Sequence, residues 1–264
     1  MGSGRTAAIS EPARIADAWR MRAPIQTILF DFGGTLDANG VAWKERFYAL
    51  YRAEGLDIAA AAFDSSFYAA DDPLVGNLSP ATDLSGTVHA LAANLETQLA
   101  RGGAGANKPD LSNGSIDGER GRRVATRFLA QASAAFARNR PVLETLRERY
   151  RLGVVANFYG NLEAVCHGAG LASSFAVLVD SHCVGAEKPD PAIFRAALDP
   201  LGARPETTVF VGDSLPRDRE GARRVGMRFI WMTPEDTAGA TRATADPQVE
   251  HAVTDLRDLM KILP

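Results

Sequence analysis

The sequence predicts an α/β fold: a Rossmann-like parallel sheet core with a helical cap domain inserted after the first strand. Three observations predict it. Short apolar runs end in polar or glycine-rich turns, these runs alternate with helical segments after Pro141, and a long helical stretch separates the first run from the others. Parallel strands joined by right-handed helical crossovers bury both faces of the sheet. Ligands in such sheets gather beyond the carboxyl ends of the strands.

Residues 1–22 mix Arg, Glu and Asp with Ala and contain no continuous apolar segment, so they read as a flexible N-terminal extension and not as a secretory signal. The core is expected over residues 23–39 and 141–264. Its first strand is the apolar run Ile25 to Phe30, which stops at Asp31 and the Gly33-Gly34 turn. From Val41 to Gly55, Trp43, Phe47, Leu50 and Tyr51 recur at helical spacing, and helical periodicity continues through Leu91 to Leu99; residues 40–140 therefore form the cap. Within it, Arg101 to Gly121 is rich in Gly, Asn, Ser and Asp and reads as a flexible loop. Gly102 to Gly105 lacks the strand and helix context that a phosphate-cradling loop requires. Val124 to Phe136 resumes a helix. After Pro141 come a helix (Val142 to Tyr150), a strand (Leu152 to Ala156), a helix from Leu162, and a strand (Ala176 to Asp180). The pattern closes with a helix (Ala192 to Leu198), a strand (Thr208 to Val211), a helix (Glu220 to Val225) and a last strand (Arg228 to Met232).

Composition narrows the function classes. With 264 residues, 46% of them apolar and 23% charged, the chain has enough material for one core and a smaller satellite. The 29 basic and 32 acidic residues leave a net charge of −3, which disfavours nucleic acid as a partner. No apolar run approaches the roughly 18 residues of a membrane span. Cys166 and Cys183, the only cysteines, fit reduced, buried, inert thiols and a cytoplasmic location better than a disulfide framework. Oligomeric state is not readable from these features.

Four polar clusters each follow an apolar strand: Asp31-Phe32-Gly33-Gly34-Thr35, Ala156-Asn157, Lys188-Pro189, and Gly212-Asp213-Ser214 with Asp218. Parallel strands would bring these tips together. A carboxylate such as Asp31 can attack phosphorus to form an acyl phosphate, splitting one displacement into two easier steps. Mg²⁺ takes hard oxygen ligands, a demand that Asp31, Asp213 and the Gly33 carbonyl can meet. Lys188 supplies a fixed positive charge, and Thr35 and Asn157 can donate hydrogen bonds to phosphate oxygens. Asp218 either joins the metal-site carboxylates or caps the helix opening near Arg219, and Ser214 is either a metal-shell contact or a turn residue.

The order and spacing of these clusters resemble the haloacid dehalogenase (HAD) superfamily over about residues 25 to 260. The resemblance implies a nucleophilic Asp31, magnesium held by Asp31, the Gly33 main-chain oxygen and Asp213, and phosphate contacts from Thr35, Asn157 and Lys188. It also implies that the cap closes over a small phosphorylated substrate. Two positions depart from the phosphatase pattern. The second Asp of the first motif, a general acid/base, is here Gly33, and the Ser/Thr of the second motif is Ala156. Loss of a general acid/base costs about 10²- to 10⁴-fold, so restoring Asp at position 33 is expected to accelerate hydrolysis. Dehalogenases, phosphonoacetaldehyde hydrolases and cation-pumping ATPases resemble this chain in lacking that Asp. Lys44 and Lys108, the cap lysines, stand in no recognisable Schiff-base context, and the Gly212-to-Asp218 motif resembles a magnesium-holding phosphatase loop. The expected activity is a Mg²⁺-dependent phosphohydrolase; alternatives are dehalogenation, transfer to another acceptor, or ligand binding without turnover.

Four further readings complete the picture. Asp37 is a candidate to replace the missing acid, with loop capping as the simpler role. Tyr159 either contacts substrate or packs between domains. His167 and His182 have no partner at metal-binding spacing. Arg217, Arg219, Arg223 and Arg224 read as a solvated helix face.

Overall fold

The segment Thr-Ile-Leu-Phe forms β1 (Thr27–Phe30), buried at every position, as a central strand covered on both faces must be. A computed structural model of the chain describes residues 23–102, 118–234, 249 and 251–263. The predicted N-terminal extension, and Gly103 to Gly105 and Lys108 of the predicted loop, lie outside the described residues.

Between β1 and β2 (Arg151–Ala156) the described chain is helical: α1 (Trp43–Ala53), α2 (Ala60–Asp71), α3 (Leu84–Gly102) and α4 (Glu119–Arg147). Helix α1 buries Trp43, Arg46, Phe47, Leu50 and Tyr51, one face at a spacing of three to four residues. Both ends of the predicted loop are helical, since α3 runs to Gly102 and α4 begins at Glu119. The two helices expected on either side of Pro141 are one. Helix α4 spans 29 residues with Pro141 inside it. The proline withholds one main-chain donor, yet the buried stripe of Phe128, Ala132, Ala135, Asn139, Val142 and Leu146 continues past it. Packing of that stripe outweighs the local penalty.

The remaining elements are α5 (Leu162–Gly168), β3 (Val177–Asp180), the single turn α6 (Ser181–Val184), α7 (Pro191–Leu198), β4 (Thr208–Gly212), α8 (Glu220–Val225), β5 (Arg228–Met232), β6 (His251–Val253) and α9 (Leu259–Ile262). Among the described residues the sheet has six strands in the order β3-β2-β1-β4-β5-β6, one more than the sequence pattern predicts. Every pairing is parallel, with Phe30 opposite Val154 on one side and Val211 on the other. Strand order reverses between β1 and β4, where a crevice opens beyond the carboxyl ends.

Alternation along the strands feeds two apolar layers. Ile28, Phe30, Val154 and Val211 join a cluster that continues without a break into Phe47, Phe63, Leu91 and Phe128 of the helical insertion. Leu29, Val155 and Phe210 face the other side, under Ile193, Phe194 and Ala222 of α7 and α8. Cys166 is buried as expected, but Cys183 is exposed because it lies on the solvent side of α6. No helix of the described chain is long and apolar enough to cross a membrane.

Candidate active site

Asp31 leaves β1 with its N–H donated to the Val211 carbonyl at 2.9 Å, so the sheet ladder itself aims the side chain into the crevice. The chain then turns tightly: the N–H groups of Thr35 and Leu36 both converge on the Phe32 carbonyl, at 3.3 and 2.9 Å. Gly34 sits at φ 89°, and a Cβ there would collide with the Asp213 carboxylate, so only glycine fits.

The Lys188 ammonium donates to Asp31 Oδ1 at 2.5 Å and to Asp218 Oδ1 at 2.7 Å, with all three side chains nearly inaccessible. Asp31, Asp213 and Asp218 each offer a carboxylate oxygen within 4.8 Å of the others. Asp218 Oδ2 accepts the Ser214 main-chain N–H at 2.9 Å, which orients the Asp218 carboxylate. The Trp231 indole donates to the Asp213 carbonyl at 2.9 Å and steadies that loop from β5.

Two expected phosphate contacts sit differently. Thr35 is fully buried, and its hydroxyl donates to Asp31 Oδ2 at 3.3 Å from beneath. The Asn157 amide grips the main chain of Lys188, accepting its N–H at 2.8 Å and donating to its carbonyl at 3.2 Å. Both side chains hold other site residues in place. Asp37 is committed as well: Oδ1 takes the Gly34 N–H at 2.7 Å, and Oδ2 takes Trp43 Nε1 at 2.8 Å and Arg46 at 2.6 Å. Fully buried and saturated, it is the loop's cap and no substitute acid. A Cβ on Gly33 would lie 3.2 Å from Trp43 Nε1. The tethered indole thus fills the space beside the missing carboxylate, and an Asp restored there must push it aside.

The haloacid dehalogenase-like hydrolase family model matches residues 25–226. The chain belongs to this family. Over 114 residues, 43% of the chain, this HAD-like hydrolase is 39% identical to the haloacid dehalogenase-like hydrolase domain-containing protein 3 of Bos taurus, covering 45% of that protein. Over 73 residues, 26% of the chain, it is 45% identical to the phosphoserine phosphatase of Thermus thermophilus, covering 29% of it. The chain thus spans less than half the length of either relative. Among solved structures, the HAD phosphatase from Thermococcus onnurineus aligns at TM-score 0.51 and 23% identity, covering 90% of this chain and 98% of its own. An L-2-haloacid dehalogenase aligns at TM-score 0.55 and 21% identity, covering 91% and 99%. These two likenesses speak to the fold alone.

The charges of this HAD-like site are strongly interdependent. Burial, then the charges of Asp31 and Asp218, push the Asp213 carboxyl well above the usual range, against the pull of Lys188 and Arg217. Burial also raises Asp218, opposed by Lys188 and the Ser214 N–H. Burial drags the Lys188 ammonium down, but Asp218 and Asp31 outweigh it and hold it above its ordinary value. Three carboxylates thus share one buried lysine, and their oxygens lie close enough together that they could hold a metal ion.

A cavity of about 550 Å³ joins these groups to the insertion, lined by Asp31, Gly33, Asn157, Lys188, Asp213 and Asp218 on the core side. Lys44, Asp71, Tyr159 and Arg217 line it as well. Lys44 is already paired with Asp64 at 2.8 Å and Glu45 at 3.1 Å. The Tyr159 hydroxyl donates to Asp71 Oδ1 at 2.5 Å, from the loop after β2 to the end of α2. Arg217 is exposed, as the expected arginine face requires, and it also lines the cavity. Pro216 delays α8 until Glu220, so Arg217 lies on the preceding turn against the cavity, while Arg223 and Arg224 pair with Glu220. Asp71 carried no motif that spacing alone reveals. A second hollow of about 620 Å³ beside α5 and β3 has only Glu163 and His167 as ionisable lining, and no cluster comparable to the first.

Proposed function

We propose that this HAD-like hydrolase removes phosphate from a small phosphorylated metabolite through an aspartyl-phosphate at Asp31. The observation that carries the reading is the buried Lys188 bridge between Asp31 and Asp218, set beside Asp213 in a cleft-like cavity. The Asp31 carboxylate attacks phosphorus, the bond to the leaving oxygen breaks, and water then cleaves the acyl phosphate. Lys188 offsets the negative charge that accumulates around the phosphoryl group, and Asn157 keeps Lys188 on target through its main chain. Thr35 fixes the rotation of the nucleophile by its hydrogen bond.

Burial, with added repulsion from Asp31, raises both Asp213 and Asp218, and such a crowded carboxylate cluster fits a bound Mg²⁺. Asp31, Asp213, the Gly33 main-chain oxygen and Asp218 are the groups that would hold it. When bound, it supplies Lewis-acid polarisation of the phosphoryl oxygens. Names among the relatives, phosphoserine phosphatase and glyceraldehyde 3-phosphate phosphatase, support phosphate monoesters as the substrate class.

A panel of phosphate monoesters assayed with Mg²⁺ should release inorganic phosphate, and Asp31→Asn should lower kcat by at least about 10³-fold. Activity that survives the substitution removes Asp31 from the nucleophile's role. Gly33 favours one competing reading, carbon–halogen hydrolysis, which needs no acid at that position. Halide released from a 2-haloacid in the presence of a chelator would select it.

A further inference from the structure

Gly33 leaves the motif loop without an acid, and neither neighbouring candidate supplies one, because Asp37 is saturated and Trp43 fills the adjoining space. The proton still has to come from somewhere. An alkoxide is a poor leaving group, so cleavage of an alkyl phosphate is slow unless the departing oxygen is protonated as the bond breaks.

The geometry points to Asp71 as the general acid and base of this hydrolase, delivered by the helical insertion and positioned by Tyr159. The inference rests on the phosphohydrolase reading above. Asp71 ends α2 of the insertion and lines the same cavity as Asp31. Its Oδ1 is held by the Tyr159 hydroxyl, which belongs to the core. Oδ2 accepts no hydrogen bond among the described residues and is the oxygen able to carry a mobile proton. The charged and titratable groups around it are Tyr159, Asp72 and Arg217. Burial, partly countered by the Tyr159 hydrogen bond, raised again by Asp72 and lowered by Arg217, moves the Asp71 carboxyl up to about 6. That value suits a group that must give a proton in one step and take one in the next.

The steps balance. As Asp31 bonds to phosphorus, the phosphorus–oxygen bond to the leaving group breaks and the Asp71 Oδ2 proton passes to the departing oxygen, releasing a neutral alcohol. Asp71, now ionised, accepts a proton from the water that attacks the aspartyl-phosphate. Inorganic phosphate leaves, and both carboxyl groups return to their starting states.

The test compares an alkyl phosphate with p-nitrophenyl phosphate, whose leaving group needs no proton, in the full chain with Mg²⁺. Asp71→Asn should lower kcat/KM by about 10²- to 10⁴-fold on the alkyl ester and leave kcat/KM on the aryl ester nearly unchanged. It should also increase the aspartyl-phosphate trapped by acid quench during aryl ester turnover. In the wild type, kcat/KM for the alkyl ester should fall as pH rises through about 6, because the acid form is lost; Asp71→Asn should abolish that limb. Tyr159→Phe removes a hydrogen bond that favours the ionised carboxyl, so the limb should move to higher pH, and this variant carries the test should Asp71→Asn not fold. Equal losses on both esters, no loss on either, or an unmoved limb in Tyr159→Phe overturns the role of Asp71 while Asp31→Asn remains inactive. A wild-type protein that cleaves neither ester overturns the phosphohydrolase reading and the role of Asp71 with it.

Discussion

Asp37 shows how much of the site depends on a residue that does no chemistry. Its carboxylate is fully buried and accepts from Gly34, Trp43 and Arg46, while the Arg46 guanidinium also donates to the Phe128 carbonyl at 3.2 Å and lies 3.7 Å over the Phe128 ring. Asp37→Ala strands a buried cation and two N–H donors, and removing one partner of such a pair costs about 3–5 kcal/mol. Urea unfolding at neutral pH should show a loss in that range; a loss under about 1 kcal/mol would mean that water replaces the carboxylate. The sequence made Asp31, Lys188, Asp213 and Asp218 legible because each follows a strand end, and parallel strands converge. It offered Thr35 and Asn157 as phosphate donors but not their hydrogen bonds to Asp31 and to the Lys188 main chain, since a motif gives a residue's place and not the partners it holds within the site. Asp71 was invisible for a further reason: it reaches the cavity only through the packing of one helix against the core, which leaves no local pattern.

Helix α4 is the element where propensity and packing disagree most. A proline in a helix interior costs about 3 kcal/mol relative to alanine, of which its stiffening of the unfolded chain returns about 0.4–1 kcal/mol. Pro141→Ala should therefore stabilise the protein, by about 1–3 kcal/mol, measured as a rise in the thermal midpoint; a fall would show that the surrounding contacts are built around the ring. The helix reaches the motif loop directly, since Asn139 donates to the Leu36 carbonyl at 2.9 Å two residues before the proline. Strands and helices with clear periodicity were legible in the sequence, whereas Pro141 was read as punctuation because local rules cannot weigh a buried stripe on both sides of it. Strand β6 was missed for the opposite reason. At three residues, His251–Val253, it is too short for any period to register.

At the scale of the molecule, the carboxylate cluster is a liability that a cation would relieve. With Mg²⁺ at a hundred times its dissociation constant, linkage predicts about 2.7 kcal/mol of stabilisation. Added Mg²⁺ should raise the thermal midpoint of the wild type, a chelator should reverse the rise, and Asp213→Asn should blunt it; a midpoint indifferent to Mg²⁺ in all proteins would remove the metal from the proposal. The fold class was legible from alternation alone, because strands joined through helices have the long crossovers that parallel pairing needs. The union of sheet and insertion was not, because it depends on which aromatic rings meet: Phe32 stands 6.0 Å from Phe136, and Trp43 5.9 Å from Phe158. That shared oily seam, running from the strands into the insertion, has a mechanical corollary. The roof over Asp31 shares its apolar packing with the floor, so prising the two apart would bring rings such as Trp43 and Phe158 into water, at a free-energy cost that grows with the area exposed.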